Sequence, residues 1–206
     1  YYMICATMHF FPGGTLLKSY DLVHWEIAAH VFERLDDTPA EQLEGEQSIY
    51  GKGMWAASLR YHKDTFYVCF ASYDTGKTYI YRTKNINEPW EKRSLDGVYH
   101  HPSLLFDEDG RIYMGYGFNE VRILELNDTL TAPKEGGFER LLVEEKQDAY
   151  ISYEGAHFYK KDGTYYIFVI QWLKGNLTQR EQLCLYGDSL DGESVSYTHL
   201  TLPTNR

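Results

Sequence analysis

Glu154 is the residue of this chain best placed for acid–base chemistry. It stands in the run Tyr153-Glu154-Gly155-Ala156-His157-Phe158-Tyr159, ahead of the pair Asp162-Gly163 and a second run, Tyr165-Tyr166-Ile167-Phe168-Val169-Ile170. A carboxyl beside a glycine and near an imidazole is suited to giving or taking a proton. The alternative is a surface charge at the start of a strand. A second candidate is His101, in His100-His101-Pro102-Ser103.

Both candidates depend on hairpins for their placement. Asp162-Gly163 predicts a tight turn, because such turns need positive φ. The run after it is β-branched and aromatic, as a half-buried strand should be. The same unit recurs. Trp55 to His62 leads through Lys63-Asp64-Thr65 into Phe66 to Phe70, and Pro102 to Phe106 leads through Asp107 to Gly110 into Arg111 to Tyr116. The anchor aromatics Tyr2, Tyr67, Tyr113 and Tyr166 are 65, 46 and 53 residues apart. Units of this length with several short strands predict an all-β chain, a β-propeller, in which stacked blades bury the faces that one blade cannot. A β-sandwich is the alternative, and almost no helix is expected. Residues 33–48 are acidic and polar and read as a surface loop.

In a propeller the start of each blade's inner strand meets the others at one mouth of the channel. His101 stands twelve residues before Tyr113 and Glu154 twelve before Tyr166, so these two are expected to converge.

Composition narrows the partners. The chain has 206 residues, 16% of them aromatic with 19 tyrosines, and a net charge of −10. The negative charge without a basic cluster argues against nucleic acid and anionic membranes. No stretch is long and apolar enough to span a membrane as a helix. Cys5, Cys69 and Cys184 are too scattered for a disulfide framework or a zinc site, and no metal is expected. Compartment and oligomeric state stay open.

Three runs carry a resemblance, the first of them the run around Glu154. Tyr153 to Tyr166 resembles the general-acid segment of glycoside hydrolase family 43. Gly53 to His62 resembles that family's second-blade motif, and Phe11-Pro12-Gly13 with Ser19 to Glu26 resembles its first blade. The resemblance covers about residues 1–193, read as a partial β-propeller catalytic domain. The remainder, 194–206, resembles translated adapter sequence and is set apart from the fold.

The resemblance implies a five-bladed propeller, of which about four blades are present here. It implies hydrolysis of β-xylosidic or α-L-arabinofuranosidic bonds in hemicellulose oligosaccharides by inversion. In inverting enzymes the acid and base stand about 6.5–9.5 Å apart, leaving room for a water. Glu154 takes the place of the acid. The family's base falls ahead of Tyr2, outside this sequence. A third carboxyl, an Asp that tunes the acid and orients it, is implied by the resemblance where this chain has His101. An imidazole there favours the carboxylate form, opposite to what an acid needs. Asp107 and Asp109 are the alternative tuning residues. No cofactor is implied, although calcium occurs in parts of the family.

Trp55 and Phe11 are expected either to stack on sugar rings or to fill the space between blades. Ser58 and His157 complete the expected substrate contacts, with a core role for His157 as its alternative. A non-catalytic carbohydrate-binding propeller is the competing reading, and a propeller for protein contacts a weaker third.

Overall fold

The computed structural model describes residues 1–144, 149–173, 180–192 and the backbone of Ser196–Leu200. The described residues are strands and turns without an α-helix, as the repeat predicts. They fall into two compact units.

The first unit, residues 1–99 with 130–132, holds two antiparallel sheets. One has three strands in chain order, β1 (Tyr2–Cys5), β2 (Gly13–Lys18) and β3 (Glu26–Phe32). The other has four, β4 (Ser58–His62), β5 (Thr65–Ser72), β6 (Lys77–Thr83) and β7 (Glu91–Asp96). Val31, Phe32, Met54, Phe70, Tyr79 and Tyr81 form its core. Phe32 and Tyr81 stack with centroids 5.5 Å apart.

Residues 33–57 contain no strand, so the loop expected at 33–48 continues to the start of β4, and it is stapled down. Asp36 accepts hydrogen bonds from Lys77 Nζ at 3.1 Å and Tyr79 Oη at 2.7 Å and pairs with Lys92. The Glu41 carboxylate accepts the N–H groups of Asp36 and Asp37. These side chains satisfy loop backbone that has no ladder partner.

The second unit begins at residue 100 and also holds two antiparallel sheets. The first is β8 (Ser103–Phe106), β9 (Ile112–Tyr116), β10 (Val121–Leu126) and β11 (Glu139–Val143). The second is β12 (Ala149–Lys161), β13 (Thr164–Leu173), β14 (Arg180–Gly187) and β15 (Ser196–Leu200). Tyr113, Ile123, Phe158, Ile167, Val169 and Leu183 build the core between them. The stretch 194–206 falls mostly outside the described residues; the backbone of Ser196–Leu200 pairs with β14.

The β12–β13 turn has the predicted chemistry. Asp162 and Gly163 both have positive φ, 52° and 84°, which gives a hairpin turn matched to the strand twist. Lys63 and Asp64 form the β4–β5 turn in the same way, at 46° and 57°.

Candidate active site

Glu154 sits where β12 stops being regular. Opposite β13 the pairs are Ile151↔Trp172, Glu154↔Ile170 and His157↔Phe168, with a register shift on each side of Glu154. Each bulge adds one residue to β12, bends it and re-aims the side chains nearby. Gly155 supplies the second bulge with φ +71°, a conformation that costs a glycine little.

β12 runs beside β8 and the residues just ahead of it. Phe158 N–H donates to Ser103 Oγ at 3.0 Å, and Gly155 N–H donates to His101 Nδ1 at 3.1 Å. His100 Nε2 lies 3.9 Å from Glu154 Oε2. The rings of His100 and His101 stack with centroids 3.8 Å apart, and Phe118 meets His100 edge-on at 5.2 Å. His100 is 6% exposed, while Phe118 keeps 48% of its surface. Glu154 and His101 therefore come together, as the repeat predicts, and His100 also stands beside the carboxyl.

The electrostatics follow from this packing. His100 beside the carboxylate holds Glu154 below its ordinary pKa, against the opposing effect of burial; His101 and the indole of Trp172 act in the same direction as His100. Burial drives His101 down to about 4, with His100 and His157 adding to the effect and Glu154 opposing it. At neutral pH Glu154 is a carboxylate and His101 a neutral imidazole.

A short loop braces the backbone on both sides of the site. Gly117 N–H donates to the His100 carbonyl at 3.0 Å, and Asn119 N–H to the Tyr153 carbonyl at 2.8 Å. Ser152 N–H donates to Asn119 Oδ1 at 3.0 Å. Gly117 is required here: its φ is +146°, and a Cβ would lie 2.0 Å from the Glu120 carbonyl oxygen. We expect Gly117→Ala to destabilise the intact protein by roughly 2–3 kcal/mol, measured by urea unfolding, because backbone meets backbone and nothing can give way.

His100, His101 and Glu154 also have the composition of a cation site, with ligand atoms within 4.8 Å of one another. The hydrogen bond from Gly155 weighs against that use. A backbone N–H can only donate, so His101 Nδ1 carries the lone pair and Nε2 the proton. Binding a metal through Nε2 would move the proton to Nδ1, against the Gly155 N–H. Binding through Nδ1 would displace that N–H.

Other expected residues fall as follows. His157 is exposed on β12, not in the core. Asp107 is held by Lys160 Nζ and Tyr165 Oη, each at 2.5 Å, and Asp109 by the Arg111 side chain at 2.7 Å, so both carboxyls are committed at the hairpin. Trp55, Phe11 and Ser58 belong to the first unit. The Trp55 indole donates to the Gly51 carbonyl at 3.2 Å, and its ring lies 5.2 Å from that of Tyr73. Phe11 leans on Phe32 and the core, whereas its neighbour Phe10 is 67% exposed. Ser58 is 2% exposed, inside its sheet. The sequence reading missed His100, Phe118 and Trp172. His100 was adjacent to a named residue; for the other two, only the fold supplies the signal.

The arrangement is thus a largely enclosed carboxyl on a bulged strand, flanked by imidazoles and aromatics. The chain belongs to glycosyl hydrolases family 43, whose sequence pattern matches residues 1–201. Membership assigns the sheets to the β-propeller class that the repeat predicts. The chain is 29% identical over 191 residues to a beta-xylosidase of Formosa agariphila, covering 87% of this chain and 32% of that protein. It is 33% identical over 173 residues to a non-reducing end alpha-L-arabinofuranosidase of Bacteroides ovatus, covering 81% of this chain and 31% of that protein. Among solved structures, a bifunctional GH43-CE protein of Bacteroides eggerthii superposes with a TM-score of 0.89 at 35% identity, over 96% of this chain and 26% of that one. The chain thus spans about a third of the length of the curated relatives it matches.

Proposed function

We propose that the intact protein is an inverting glycosidase that cleaves β-xylosidic or α-L-arabinofuranosidic bonds in hemicellulose-derived oligosaccharides. Glu154 protonates the leaving glycosidic oxygen, and a carboxylate base activates the water. The observation that carries this reading is the placement of Glu154: a carboxyl whose side chain is 11% exposed, set between two bulges, in a chain of this family. The reaction needs no cofactor. Release of 4-nitrophenol from the β-xyloside and the α-L-arabinofuranoside tests it and separates the two sugars.

The lowered pKa of Glu154 has a consequence for this reaction. An acid works only when protonated, and its protonated share falls tenfold per pH unit above its pKa. Hydrolysis of xylobiose is therefore expected to rise as the pH is lowered from 7 toward 5. His100→Gln removes the largest cause of the shift, so the descending limb of kcat/KM against pH should move upward. A wild-type profile that is flat from pH 5 to 8 would contradict the role of Glu154.

The same ionised carboxylate favours a second reading, a propeller that binds oligosaccharides without cleaving them. It predicts binding of xylobiose with no release of reducing ends, and turnover in the intact protein would rule it out.

A further inference from the structure

We infer that His101 is a positioning residue for Glu154: its Nδ1 lone pair holds the peptide that joins Glu154 to Gly155 and so fixes the acid inside its bulge. The inference rests on the reading of Glu154 as the acid.

The geometry carries it in three steps. First, the β12–β13 pairing runs from Glu154↔Ile170 to His157↔Phe168, and the bulge between them takes Gly155 out of the ladder. An N–H that is partly buried and has no ladder acceptor is stabilised by another partner. Gly155 N–H finds it 3.1 Å away at His101 Nδ1. That N–H belongs to the peptide bond that follows Glu154, so the imidazole grips the backbone next to the acid.

Second, His101 is held in an unfavourable backbone conformation. Its φ is +47°, in the left-handed region, and Pro102 follows it. A residue before proline is pushed toward extended structure, and a non-glycine residue rarely takes positive φ. Such a conformation persists where the surroundings over-determine it, and these places cluster at functional sites. Here the stack on His100 and the bond from Gly155 hold it.

Third, the bond selects one tautomer. With the lone pair on Nδ1, the ring proton is on Nε2. An aspartate at this position, as the family resemblance implies, would also accept the Gly155 N–H. His101 keeps that structural task while replacing an anion near Glu154 by a neutral ring.

The test compares wild type, His101→Ala and His101→Asn in the intact protein. Asn places an acceptor oxygen close to where Nδ1 stands. Loss of the anchor in His101→Ala is expected to lower kcat about tenfold or more while KM for xylobiose changes little, since small misplacements of a reacting group are costly. Hydrogen exchange at the Gly155 amide should speed up by about the same factor or more, as expected when an amide loses its acceptor. His101→Asn should restore both. In wild type, 15N NMR of the His101 ring should show the Nε2–H tautomer. That readout needs no variant, so a misfolded His101→Ala protein does not remove the test.

An Nδ1–H tautomer, unchanged Gly155 exchange in His101→Ala, or a Zn2+ titration showing a His101 nitrogen as ligand would each overturn the inference. If the intact protein turns over no glycoside while Gly155 loses protection in His101→Ala, the glycosidase reading fails and the anchoring of the carboxylate stands.

Discussion

Replacing Glu154 by Gln is expected to cut kcat on xylobiose by roughly 10³-fold, within the usual range for loss of a general acid. Gln has nearly the same shape, so KM should change little. The loss should depend on the leaving group. A sugar alkoxide is a poor leaving group without a proton, whereas 4-nitrophenolate departs nearly unaided. On the 4-nitrophenyl glycosides the same variant should therefore lose far less, within about tenfold of wild type. Equal losses on both substrates would mean that Glu154 does something other than deliver a proton. The closeness of His100, 3.9 Å from the carboxylate, makes the comparison sharper. Glu154 is already biased toward its ionised form, so its activity depends on the protonated minority.

Asp107→Ala is expected to lower folding stability by about 3 kcal/mol, the low end for breaking a buried ion pair. The Asp107 side chain is fully buried, and Lys160 Nζ and Tyr165 Oη both reach it at 2.5 Å. The cost is at the low end because the Lys160 side chain is 18% exposed and also lies 3.7 Å from Glu108. Burial pushes the Asp107 pKa up, but Lys160, Tyr165 and the Glu108 N–H together bring it below its ordinary value. The sign of the linkage follows. A depressed carboxyl contributes stability that is present above its unfolded pKa, about 3.9, and lost as the pH falls through the folded value. Urea unfolding at pH 7 and again near pH 3 should show a smaller gap between wild type and Asp107→Ala at the lower pH. Because Asp107 is committed to the hairpin, Asp107→Asn should leave the pH profile of hydrolysis unchanged. A shifted profile would restore Asp107 as a tuning residue.

Much of this architecture is legible in the sequence, because turn chemistry is local. Asp162-Gly163 announces a turn by itself, and the strands that follow each turn are marked by their aromatics. The fine register is not local. Tyr113 lies one residue beyond the pair Phe106↔Ile112, with five residues in the turn, while Tyr166 lies two beyond Lys161↔Thr164, with two in the turn. Counting back from the two tyrosines therefore slips by one. It matches His101 with Glu154, whereas His101 grips Gly155 and His100 stands beside the carboxyl. The bulges around Glu154 leave no mark except Gly155. The first-unit residues teach the same lesson. In Phe10-Phe11 nothing in the residue types says which ring enters the core, and the strand path gives that place to Phe11.

The two bulges of β12 that flank Glu154 also act as a key in a lock. β12 and β13 are the longest strands of the described chain, 13 and 10 residues, and long hairpins are prone to sliding. A slip by one residue turns every side chain to the opposite face. Here a slip would also press an irregular stretch of β12 against a regular stretch of β13, so misaligned pairings are penalised at two points at once. The distortion that aims the carboxyl thus keeps the hairpin from assembling in the wrong alignment. Straightening the strand by deleting one bulge residue would be expected to yield a mixture of pairings, visible as doubled amide signals along β13.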